Sequence, residues 1–97
     1  MKKSYIFIFN ESLGSDQKVY DYVNDSQLII TWRKELNNAF FIISRNSAQE
    51  IYEEVSRYFG QGKGTFLISE VSSNKQGLLN KRSWSLLNDK KLPPKEG

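Results

Sequence analysis

Asn10, Glu11 and Ser12 are the first residues of the chain whose types and placing could do chemistry. They follow an unbroken apolar run, Tyr5 to Phe9, so they stand where a strand ends and a loop begins. A carboxylate beside an amide carbonyl could ligate a hard cation such as magnesium. Asn10, however, carries no charge and cannot act as a base. Glu11 points to the opposite side if the strand continues, unless a bulge re-aims it. The structural alternative is that Asn10 and Ser12 turn the chain toward a helix capped by Ser15. That alternative is preferred, and it leaves Asn10 and Glu11 as the only catalytic candidates.

The chain has no His and no Cys. A Ser-His-Asp triad, a His general base, thiol nucleophiles and thiolate zinc sites are therefore excluded within it. No cofactor is expected, and magnesium enters only with a nuclease activity. The expected location is the cytoplasm: the chain lacks a disulfide framework, and no apolar run reaches the ~18 to 20 residues of a membrane span.

A second set of residues could bind phosphate. Arg33, Lys34 and Arg45 flank two strands, and Lys75, Lys81 and Arg82 precede Trp84. Contacts of this kind weaken with salt. The formal net charge of +3, from 14 basic and 11 acidic residues, is mild and better suits an ordinary solvated surface. Trp32 could stack on a base, but it is expected to share a face with Leu28, Ile30 and Leu36, which favours the core. The run Gly60-Gln61-Gly62-Lys63-Gly64 follows a helix and enters a strand, the reverse of a phosphate-binding loop.

The elements that position these residues follow from periodicity. Ser15 caps a first helix to about Val23, with Val19, Tyr20 and Val23 inward. Gln27 to Leu36 and Ala39 to Ser44 are strands joined by Asn37-Asn38, a pair that tolerates positive φ in a tight hairpin. Ser47-Ala48-Gln49-Glu50 is a capping box opening a helix with Ala48, Ile51, Val55, Tyr58 and Phe59 in one stripe, ended by Gly60. Thr65 to Val71 is a fourth strand, and Arg82 to Asn88 a short helix or strand. The β-α-β-β-α-β order predicts a single α+β domain over residues 1–88. Its arrangement is ferredoxin-like, with an antiparallel sheet in the order four-one-three-two, two helices on one face and a short C-terminal segment. A flexible tail is expected over 89–97.

The first and third strands are apolar on both sides, so the face without helices would be an exposed apolar patch. Either the segment around Trp84 folds over it or a second copy packs against it. The dimer is preferred, with Tyr5, Phe7, Phe9, Phe41 and Trp84 at the interface.

The run Ile30-Thr31-Trp32, Leu36, the Asn-Asn turn, Ala39 to Ser44 and the capped helix ending in Gly resemble the small ferredoxin-like subunit of the CRISPR adaptation machinery and its stand-alone relatives. Gly77-Leu78-Leu79 and Trp84 extend the likeness, which covers roughly residues 4 to 88. The resemblance implies a homodimer packed through its sheets. Nuclease-active members carry an Asp at the end of the first strand, where two copies bring their carboxylates to magnesium; here that place holds Asn10.

The expected function is that of a small homodimeric nucleic-acid-associated protein without nuclease activity. Its nucleic-acid-binding residues would be Arg33, Lys34, Arg45, Lys81 and Arg82, and its partner DNA, RNA or a protein encoded nearby. The alternative is a protein-interaction or regulatory dimerisation module with no nucleic-acid role. A magnesium-dependent nuclease using Glu11 is the third reading.

Overall fold

The computed structural model describes residues 1–90, and seven elements follow in order. They are β1 (Lys3–Phe9), α1 (Asp16–Asp25), β2 (Ile29–Leu36), β3 (Ala39–Ser44), α2 (Ala48–Phe59), β4 (Phe66–Glu70) and α3 (Lys81–Asp89). The sheet has four strands in the order β2-β3-β1-β4, and every neighbouring pair is antiparallel.

Each helix starts where its cap dictates. The Ser15 hydroxyl accepts the Lys18 amide, and Ser47 and Glu50 form the reciprocal box at the head of α2. The Ser47 amide and hydroxyl hold the Glu50 carboxyl below its ordinary range. Helix α1 continues two residues beyond Val23, and Tyr22 joins Val19 and Val23 in its buried face. In α2 the buried residues are Ile51, Val55, Ser56 and Phe59, whereas Tyr58, expected inside, is substantially exposed.

The strands depart from simple alternation at β2. Its register against β3 shifts between Ile29 and Thr31 and again between Arg33 and Leu36. Each shift moves the following side chains to the other face. Leu28, Ile30, Trp32 and Leu36 therefore do not share one face. Trp32 joins Ile29 in the core under α1, while Ile30 packs on the opposite side. The hairpin also differs from expectation: neither Asn37 nor Asn38 has positive φ. The second register shift lies just before this turn and adapts the strands to it.

Helices α1 and α2 cover one face of the sheet. Tyr5, Phe7, Phe9, Phe40 and Ile42 face them and are buried. This corrects the expected interface: Tyr5, Phe7 and Phe9 lie under the helices of their own chain, beyond reach of a second copy. The cause is the β1–β3 register, in which Tyr5 lies opposite Ile42 and Phe7 opposite Phe40, while Ile6 lies opposite Phe41. Phe41 therefore belongs to the other face.

That second face is covered by α3. Leu86 and Leu87 pack with Phe41 and Ile43, and Ile6, Ile30, Val71, Leu79 and Trp84 surround them. The segment around Trp84 thus folds back over the sheet, in the place of the expected second copy. Helix α3 includes Asp89 and closes on Lys90, whose φ of 55° is left-handed. The expected tail boundary at 89 shifts accordingly, and the rest of that expected tail lies outside the described residues.

Candidate binding site on the second sheet face

The loop after β1 is built as a turn. The Asn10 side-chain oxygen accepts the Ser12 amide at 3.0 Å and the Ser12 hydroxyl. The Asn10 carbonyl accepts the Leu13 amide at 3.1 Å. Ser12 in turn accepts the Thr65 amide at 3.0 Å, and the Asn10 amide donates to the Thr65 carbonyl at 3.1 Å. Gly64 is pressed against this loop with φ +76°, and a Cβ there would stand 2.4 Å from the Leu13 Cα. Asn10 and Ser12 thus lock the β1 end to the entry of β4, and Glu11 is exposed beside them. No group of three potential metal-ligating side chains occurs among the described residues.

The five expected phosphate-binding cations do not form one patch. Lys34 lies on the α1 and α2 side, with its ammonium 5.4 Å from the centre of the Phe40 ring. Arg45 follows Ser44 at the end of the sheet remote from the hairpin, where Ser44 pairs with Lys3 and Ile29. Trp32 is packed between Tyr20 and Phe40, at ring distances of 5.1 and 5.4 Å, which makes it a core residue.

Arg33, Lys81 and Arg82 do converge, at the start of α3. The Arg33 Nε donates to the Ser83 hydroxyl at 2.9 Å. Glu35 binds the same helix end: its carboxylate accepts the Asn80 amide at 2.7 Å and the Ser83 hydroxyl. The Ser83 and Asn80 donors, with the nearby Arg33 charge, hold the Glu35 carboxyl below its ordinary value. An anionic side chain at a helix N-terminus interacts favourably with the helix dipole. Nothing in the sequence singles out Glu35 for this role. Glu35 and Asn80 stand 45 positions apart, which leaves no local signal for the contact.

Beside this helix start is a cavity of about 380 Å³. Its floor is Ile6 and Phe41, its walls include Leu36, Leu79, Trp84 and Leu87, and Glu70 and Lys75 bring charge to it. The Lys75 ammonium donates to the Ser72 carbonyl at 3.1 Å, which takes one of its three N–H donors. The volume falls in the range of small-ligand sites, which combine an apolar lining with a few polar groups.

No family model, curated protein or solved structure matches the chain. No helix among the described residues is long and apolar enough to cross a membrane.

Proposed function

We propose that the chain is a non-catalytic binding module in a ferredoxin-like frame, and that it associates with nucleic acid through the α3 side of its sheet. The frame is supported by the β-α-β-β-α-β order and by α1 and α2 sharing one face. Read from the β4 edge, the strands run four-one-three-two. The observation that carries the nucleic-acid reading is the gathering of Arg33, Lys75, Lys81 and Arg82 on the side of the sheet that bears the half-buried Trp84. Cations track a phosphate backbone, and an aromatic ring offers a base a stacking surface. The non-catalytic reading rests on Asn10 and Ser12, whose polar atoms hold the turn. The resemblance to the CRISPR-adaptation subunit and a cytoplasmic location remain part of this proposal.

The test is fluorescence anisotropy of short duplex DNA and of RNA across a salt series. Binding should weaken with salt, and Lys81→Glu with Arg82→Glu should abolish it or lower the log–log salt slope by about two. Absence of binding at low salt would overturn the proposal. The second reading, a protein-interaction module, would then stand on the apolar row Leu67, Ile8, Ala39 and Leu36, which α3 leaves uncovered at Leu67, Ile8 and Leu36.

A further inference from the structure

The two edges of the sheet are unlike. β2 carries two register shifts and the charged run Arg33-Lys34-Glu35, features that blunt an edge against further pairing. β4 reads Phe66-Leu67-Ile68-Ser69-Glu70 and has neither a shift against β1 nor a Lys or Pro. The Asn10 amide bonds the Thr65 carbonyl and the Val71 amide bonds the Ser4 carbonyl, so odd-numbered residues direct their backbone groups toward β1. The backbone groups of Phe66, Ile68 and Glu70 therefore point outward, along an edge that no other strand among the described residues pairs.

The side chains at this edge are apolar on both faces. Leu67 is 59% exposed, and across the second face it continues through Ile8 to Ala39 and Leu36. On the first face Phe66 stacks with Tyr52 of α2 at 5.6 Å. Tyr52 belongs to an exposed stripe of that helix which also holds Glu53 and Arg57.

We propose that β4 is the docking edge for a second copy of this chain. Two β4 strands pair antiparallel about a two-fold axis through Leu67 and extend the sheet to eight strands. In this register Phe66 and Ile68 of one copy lie opposite Ile68 and Phe66 of the other and exchange both backbone hydrogen bonds. Leu67 meets its own counterpart as the non-hydrogen-bonded pair, which brings side chains closest. Glu70 meets Gly64 and faces no like charge. This register is self-complementary, with apolar side chains opposed at 66, 67 and 68 and no like charges opposed along the strand, and that selects a second copy over an unrelated peptide strand. The surface is distinct from the α3 side, so the inference does not depend on nucleic-acid binding.

The test uses Leu67→Cys, which introduces the only thiol in the chain, with Leu78→Cys as a fully exposed control. Under mild oxidation Leu67→Cys should cross-link to a species of twice the 11.3 kDa chain mass, at least tenfold faster than the control. Equal rates would overturn the proposal. Sedimentation equilibrium of the unmodified chain should show the dimer at about 200 µM, as suits a small interface. Leu67→Lys, which sets two ammonium groups face to face, should return the monomer mass with an unchanged circular dichroism spectrum. A monomer throughout, or a dimer that Leu67→Lys leaves intact, would refute edge pairing.

Discussion

Replacing Leu86 by Ala should release α3 while leaving the sheet folded. Leu86 is fully buried against Phe41 and Ile43. The polar ties of α3 are few: Ser4 Oγ to the Leu87 carbonyl at 3.3 Å, Arg33 to Ser83 at 2.9 Å, and the Glu35 contacts. Truncating a buried Leu costs about 2 to 5 kcal/mol, and the lower part of that range applies because α3 lies on the sheet surface and can settle toward Phe41 and Ile43. A loss of about 2 to 3 kcal/mol raises the undocking constant roughly 30- to 150-fold. Because α3 is joined to β4 by the loop-like segment 71–80, this falls on a local opening, not on global unfolding. Native-state hydrogen exchange reads it directly. Amides of α3 should exchange faster by that factor, while those of β1 and β3 keep their protection. An equal loss in β1 and β3 would show that α3 is part of the global folding unit and refute the reasoning.

Two further outcomes follow from Glu35 and from Gly64. The Glu35 carboxyl is held below its ordinary value of 4.5 by the Ser83 and Asn80 donors. Its contribution to α3 docking is therefore complete above that value and fades as pH falls through the lowered one. The Asn80 amide resonance should titrate with a midpoint below 4.5 and lose that titration in Glu35→Gln; a midpoint at or above 4.5 contradicts the contact. Gly64→Ala should destabilise by more than about 2 kcal/mol and lower Tm by roughly 10 °C, since positive φ and contact with the Leu13 backbone act together. Gly62→Ala, with φ +73° but open space around it, should lose only about half as much, and equal losses would refute the role given to the Leu13 contact.

The elements were legible in the sequence wherever a cap or a period stated them. The Ser47 to Glu50 box, the Val19 and Val23 pair and the apolar run of β3 all act within a few residues of themselves. What was not legible depends on distant groups. The shifts in β2 cannot be read from Ile29 to Leu36 alone, because alternation gives no sign of where an extra residue enters the ladder. The same holds for Glu35, whose partners lie at the far end of a long connection. The apolar face is legible and the Trp84 segment is one of its two readable covers, but the choice between them is not, because Trp84, Leu86 and Leu87 read equally as a helical turn or a strand. Of the candidate site, the cations near Trp84 were visible, whereas the separation of Lys34 and Arg45 from them was set by the register.

The doubly apolar strands have a different meaning in the finished fold. β1 and β3 are the two central strands, and each has helices on both sides: α1 and α2 over one face, α3 over the other. A central strand covered on both faces reads as a continuous apolar run. The pattern in Tyr5 to Phe9 is therefore satisfied within one chain and calls for no second copy stacked on the sheet. Among the described residues, what remains open is the row from Leu36 to Leu67, which ends at the β4 edge. Association through that edge extends the sheet and leaves α3 in place. The short β4 limits the area it buries, so the dimer should be weak and should dissociate on dilution.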